Sequence, residues 1–197
     1  MARIEWCGNQ PWEKDYPEGP IPAEKHRVAL PGSVFLRSIP YAGLPALLCG
    51  GVILLKMCRL DGQRPNLAVV PLGILLGLLL LPIHECLHAL CFQRGQTVYI
   101  GVCLERFAAF AVCHEPISRR RFVVMSLAPV LLGLLPMLLF LLLPSTPLLS
   151  GLLIPLMVMG WFSPLPDYRA VYQILRQTTQ RAIIQSQNSG IYWYSEP

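Results

Sequence analysis

Four long apolar blocks separated by short polar stretches dominate the chain, at residues 39–57, 67–92, 122–143 and 148–165. An apolar run of about 20 residues matches the helix length that crosses a bilayer's hydrocarbon, so each block predicts a membrane-spanning helix. The first block contains Gly43, Pro45, Gly50 and Gly51, which bilayer helices tolerate better than soluble ones. The second carries no charge up to Leu81. Pro82 then leads into His84-Glu85-Cys86-Leu87-His88, in the last turns of the predicted helix. Within this block Gly73 and Gly77 form a small-x-x-x-small pattern that permits close helix contact. Packing inside the chain is the favoured reading, dimerisation the alternative.

The stretches between the blocks are patterned differently. Residues 59–66 read as a polar turn. Residues 96–113 hold two β-prone runs, 97–102 and 107–112, around the charged pair Glu105-Arg106, and predict a hairpin. Residues 168–179 read as a short helix, and 181–185 with 191–194 as two strands around Gln187-Asn188-Ser189-Gly190. The expected fold class is therefore mainly α: a polytopic membrane protein with about four transmembrane helices, a β-hairpin after the second span and a short α/β tail. Residues 1–38 are polar and Pro-rich, with no apolar signal-peptide core. They are expected to form an irregular, membrane-proximal segment, with 39–197 as the membrane-embedded domain.

Composition strengthens the membrane reading. Of 197 residues, 54% are hydrophobic and only 14% charged, against roughly 25% charged in globular chains. The net charge of +5 is spread between the apolar blocks, without aromatic interleaving, which argues for a topology signal and against nucleic acid as partner. Four spans put both termini on one side. Thirteen of the sixteen basic residues fall on that side and three (Lys56, Arg59, Arg64) on the other, so both termini are expected in the cytoplasm of a multi-pass cell-membrane protein. Arg119-Arg120-Arg121, just before the third block, reads as a stop at the cytoplasmic interface rather than a headgroup or substrate site. The seven cysteines include no C-x-x-C pair and read as reduced thiols.

Candidate chemistry centres on the second block. His84 and His88 are four residues apart, which on a helix puts both imidazoles on one face, able to hold one tetrahedral ion. Glu85 lies beside that face, within reach of a zinc-bound water whose proton it could take and later pass to a leaving amine. Ionisable groups at the end of an apolar span are expensive and usually functional. Cys86 points off the ligand face and reads as packing. Two histidines leave zinc short of a third protein ligand. Of eleven acidic residues, only Glu85 and Asp167 lie in or at the end of an apolar block. Asp167 is the preferred third ligand. Its alternative role is the N-cap of the helix starting near residue 168. His114 and Glu115 remain rival ligands. His26 reads as a solvated histidine.

The order of these features resembles a known family. It comprises the H-E-x-x-H sequence at a span's end, a β-like stretch, Glu115-Pro116-Ile117-Ser118-Arg119-Arg120-Arg121-Phe122 opening a span with Ala128-Pro129, and an Asp at a span's end before a helix and a β-like tail. It resembles the zincin-peptidase membrane family, long classed as a domain of unknown function and similar in plan to the site-2 proteases. The resemblance covers roughly residues 40–195. The family's Asp usually follows Gly, whereas Asp167 follows Pro166, and Ser163 stands where site-2 proteases carry Asn. What the resemblance implies is a Zn2+-dependent peptidase acting in or at the bilayer.

The expected function is hydrolysis of peptide bonds in membrane or membrane-proximal protein segments, with the 96–113 hairpin offering an edge strand to an extended substrate. The alternative is a non-catalytic zinc-binding membrane protein with a regulatory or chaperone-like role. Glu85 favours the enzyme, because holding zinc does not require a Glu there. A metal transporter would want polar residues along several spans, and the third block offers little beyond Ser126.

Overall fold

A computed structural model describes residues 2–11, 13–30, 32–33, 36–59 and 63–195. Among the described residues, four helices are long and apolar enough to cross a membrane: Leu36–Cys58, Val70–Leu90, Arg119–Leu142 and Pro147–Gln177. That number and the mainly helical fold agree with the sequence pattern, and are consistent with a multi-pass membrane protein. Leu60, Asp61 and Gly62 of the expected polar turn lie outside the described residues.

Two compact units divide the chain. A helical unit comprises Val34–Leu81 and Pro129–Pro166, and a mixed unit comprises Met1–Ser33, Pro82–Ala128 and Asp167–Pro197. Three of the crossings between them fall at proline, beside Pro82, Pro129 and Pro166. Proline removes a helix hydrogen bond and clashes with the preceding turn, so the second, third and fourth spans are each built from two helices.

The helical unit contains α1 (Gly43–Arg59), α2 (Val70–Leu79), α5 (Leu131–Leu142) and α6 (Pro147–Phe162). Helix α6 packs against both α2 and α5. A Cβ on Gly73 would come within 2.9 Å of the Leu152 carbonyl. One on Gly133 would meet the Trp161 backbone at 2.6 Å, and one on Gly160 would strike the Leu132 backbone. Such absent side chains let helix backbones approach where no hydrophobic force from water helps. Gly73 and Gly77 thus face α6 of the same chain, Gly77 lying against Met159, as the packing reading expects. Leu47, Leu54, Leu135 and Leu142 are exposed, an arrangement that a hydrocarbon solvent allows. The one buried cation of this unit among the described residues is Lys56. Its ammonium donates to the carbonyls of Phe140 and, at 2.6 Å, Leu143, the C-terminal end of α5, where helix dipole and unpaired carbonyls both favour a cation.

The mixed unit contains two sheets and three helices. In the first sheet β1 (Arg3–Asn9) runs parallel to β3 (Thr97–Cys103), which pairs antiparallel with β4 (Ala108–Val112) in the register Ile100↔Ala111 and Val102↔Ala109. The predicted hairpin is β3–β4, and β4 is an edge. Period-2 alternation puts Val98 and Ile100 on the face that packs against Ala89 and Cys86 of α3 (Leu81–Leu90). Part of the N-terminal stretch expected to be irregular is extended instead. Arg3–Asn9 pairs with β3, and His26–Arg27 (β2) pairs with β7 (Gly190–Ser195). The second sheet has the order β2-β7-β6-β5, with β5 at Ile117–Ser118 and β6 at Ala182–Gln187. It shares a core of Val28, Ile117, Phe122, Ile174, Ala182 and Ile184 with α4 (Arg119–Leu127) and α7 (Leu165–Gln177). Residues 16–20 are strapped onto this sheet through their backbone. The side chains of Gln185, Gln187 and Asn188 donate to the carbonyls of Pro20, Gly19 and Tyr16.

Candidate metal centre

Helix α3 carries His84, Glu85 and His88. Its hydrophobic face is anchored on β3 by Ala89, which holds the His84–His88 face against α7. Both histidines are buried, at 6% and 8% exposed. Their Nε2 atoms are 3.1 Å apart. Asp167 supplies one carboxylate oxygen to each: Oδ2 lies 3.4 Å from His84 Nε2, and Oδ1 lies 3.6 Å from His88 Nε2. Tetrahedral zinc with bonds of about 2.0–2.1 Å requires neighbouring donor atoms about 3.3–3.4 Å apart. The three observed separations lie near that edge length, the two to Asp167 being to different oxygens of its carboxylate.

The protonation pattern supports the same fit. His88 Nδ1 lies 2.9 Å from the Met125 carbonyl of α4. A carbonyl only accepts, so Nδ1 carries a proton, and Nε2 is the ring atom that faces His84 and Asp167 and would be free to ligate a metal. A ligating histidine that donates its other N–H to a backbone carbonyl is the usual outer-shell arrangement of metal sites. The donor set of two buried imidazoles and a half-buried carboxylate, all convergent, suits a borderline cation such as zinc.

Glu85 belongs to the same cluster. Its carboxylate and the two imidazoles lie within 4.8 Å of one another. The backbone of Ala111, on edge strand β4, lies beside that carboxylate. The edge of the first sheet thus neighbours the one acidic side chain of α3.

The rival residues are occupied elsewhere. His114 Nδ1 donates to the Pro17 carbonyl at 3.0 Å, and a Glu115 carboxylate oxygen accepts from the Thr97 N–H at 3.2 Å. His26 is exposed and stacks on Trp193 with ring centroids 4.7 Å apart. Asp167 sits inside the first turn of α7 rather than before it, so the helix dipole still favours its charge while its oxygens turn to the histidines. Sequence reading missed Met125 and Ala111, since a backbone group leaves no mark in side-chain identity. It also missed the contacts of Arg119 and Arg121. The Arg121 guanidinium donates to the Cys91 carbonyl at 3.0 Å, and that of Arg119 to the Leu175 carbonyl at 2.9 Å.

These features define a mainly helical protein, with four helices among the described residues long and apolar enough to cross a membrane, and a convergent donor cluster that could hold a divalent metal. Residues 77–183, more than half of the chain, match the family described as "Putative zincin peptidase", and the chain belongs to that family. Membership carries zinc peptidase activity as its coarse assignment, and His84, Glu85, His88 and Asp167 all lie inside the matched region. No curated protein and no solved structure matches the chain.

Proposed function

We propose that this protein is a membrane-embedded zinc endopeptidase of the H-E-x-x-H type, site-2-protease-like in plan. Its substrates are peptide segments in or near the bilayer. The observation that carries the reading is the Asp167 carboxylate spanning the Nε2 atoms of His84 and His88, with Glu85 beside them. His84, His88 and Asp167 would hold the ion. Zinc bound there supplies Lewis acidity toward a peptide carbonyl and toward water.

The remaining chemistry belongs to the chain. Met125 holds the His88 ring in the tautomer that offers Nε2. The Glu85 carboxylate takes a proton from the attacking water and delivers it to the leaving amine nitrogen. The Ala111 backbone beside it would steady that carboxylate. Because β4 is an edge, an extended substrate can add to it as a further strand, its main chain running past Glu85. In this reading residues 39–197 form the membrane-embedded peptidase domain, and 1–38 is a membrane-proximal segment that adds β1 and β2 to its sheets. Both termini are cytoplasmic, by the distribution of basic residues. A cysteine probe at Gln63 then reacts from outside intact cells, and labelling only after permeabilisation reverses the orientation.

The test of the activity uses purified protein in proteoliposomes with a labelled transmembrane reporter. Wild type should cleave, the chelated protein should not, and zinc should restore cleavage. Stoichiometric zinc with no cleavage of any of a panel of such reporters would favour a regulatory, non-catalytic role instead.

A further inference from the structure

The three arginines that open α4 differ in what they do. Arg120 is exposed. The two beside it reach the C-terminal ends of the helices that carry the candidate ligands. Arg121 binds the carbonyl of Cys91, just past the end of α3 and three residues from His88. Arg119 binds the carbonyl of Leu175, in the last turn of α7. Carbonyls at helix C-termini have no partner within the helix, and the dipole there favours a cation. Arginine is suited to such a role, because its planar fork stays charged and holds its geometry.

Arg121 and Met125 are four residues apart on α4, hence on one face. That face grips the end of α3 at two points. The guanidinium takes the Cys91 carbonyl, and the Met125 carbonyl takes the His88 Nδ1 proton. The first contact fixes the register of α4 against α3, and the second depends on that register. Ser118 caps α4 by accepting from the Arg121 N–H at 3.3 Å, which holds the turn carrying the guanidinium. A stop signal at a lipid interface would need only charge. These two side chains are instead half-buried and committed to specific carbonyls.

We propose that Arg119 and Arg121 are positioning residues of the metal centre, a two-armed clamp that sets α3 and α7 against α4 and so fixes the spacing of His84, His88 and Asp167. The inference rests on the zinc-site reading above. Arg121 acts within one turn of His88 and is the stronger arm. Arg119 acts two turns from Asp167 and is the weaker.

The experiment measures the full chain in nanodiscs with two probes, zinc by chelator competition and cobalt(II) by its visible absorption, which reports tetrahedral geometry. Arg121→Met should weaken zinc binding by about tenfold or more, in the range typical of lost outer-shell partners, and should lower the cobalt bands. Arg119→Met should move both in the same direction by less. Arg121→Lys, which keeps the charge without the fork, should recover part of the loss, and Arg120→Met should match wild type. If Arg121→Met fails to accumulate, Arg121→Lys carries the test and must still bind zinc measurably more weakly. Wild-type affinity and cobalt spectrum in the Arg121 and Arg119 variants would overturn the clamp while leaving the zinc site intact. Equal losses in Arg120→Met would overturn it too, reducing the effect to net charge. Absence of metal from the wild type would instead remove the zinc reading and the clamp together.

Discussion

The helical and mixed units of this protein solve the packing problem with different chemistry. In the helical unit backbones close on one another where glycines leave room, at Gly73, Gly133 and Gly160. Its buried cation, Lys56, is satisfied by helix-end carbonyls. In the mixed unit apolar cores are joined by polar, directional contacts. Side-chain amides hold the backbone of residues 16–20, guanidinium groups hold helix ends, and a carbonyl holds His88. Dispersion between close backbones needs only small residues at the right turn, whereas a metal site needs donor atoms placed to a few tenths of an ångström. The unit that carries the candidate ligands is the one built from directional bonds.

The largest expected effect separates chemistry from packing inside the mixed unit. Glu85→Gln preserves side-chain shape and removes the base. Reporter cleavage should fall by about a hundredfold or more, the usual scale of a general base, with zinc content near wild type. Full activity with full zinc would mean that Glu85 is not the base. Next is a break confined to the helical unit. Gly160→Leu drives a side chain into the Leu132 and Gly133 backbone, which cannot move aside as a flexible side chain would. The overpacking should cost about 1–3 kcal/mol, measured as a lowered unfolding midpoint in detergent. An unchanged midpoint would show that α5 and α6 can separate freely there.

An effect of similar size, expressed locally before globally, probes the strap. Gln185 is fully buried and donates to the Pro20 and His114 carbonyls. Gln185→Leu leaves those acceptors without a donor, at about 1–3 kcal/mol. It should raise proteolytic cutting within residues 13–30 before it alters global unfolding. Unchanged cutting would detach the strap from Gln185. The smallest effect concerns the thiols. Burial pushes the Cys113 thiol up to about 11 from its ordinary 9.0, so maleimide at neutral pH should modify the exposed Cys58 and spare Cys113. The sign of the linkage follows. Between about pH 9 and 11 the unfolded chain releases the Cys113 proton while the folded chain keeps it, so stability falls as pH rises through that window. Rapid native modification of Cys113 would contradict its burial.

The spans, the hairpin and the C-terminal strand pair were legible because each has a local signal: an uninterrupted apolar run, or alternation beside a turn. Asp167 was singled out by elimination, as the one acid other than Glu85 at the end of an apolar block. Strand β1 was not legible. Its alternating run, Arg3-Ile4-Glu5-Trp6, is short, and its partner β3 lies some ninety residues away in a parallel pairing that no hairpin turn announces. The contacts of Arg119 and Arg121 were hidden for a related reason. Adjacent arginines before an apolar block look like a topology signal, and only the fold reveals which carbonyls they meet. The Met125 and Ala111 contacts use backbone atoms, which every residue type supplies.

Zinc stoichiometry and affinity of the purified wild type, compared with His84→Ala and Asp167→Asn, bear most directly on the central claim. Wild type should carry about one zinc per chain, as a site with three protein ligands does. His84→Ala should lose it. Asp167→Asn should bind zinc much more weakly, since a neutral amide oxygen replaces the carboxylate that spans the two Nε2 atoms. A wild type without zinc, or an Asp167→Asn protein that holds zinc as tightly as wild type, would contradict it.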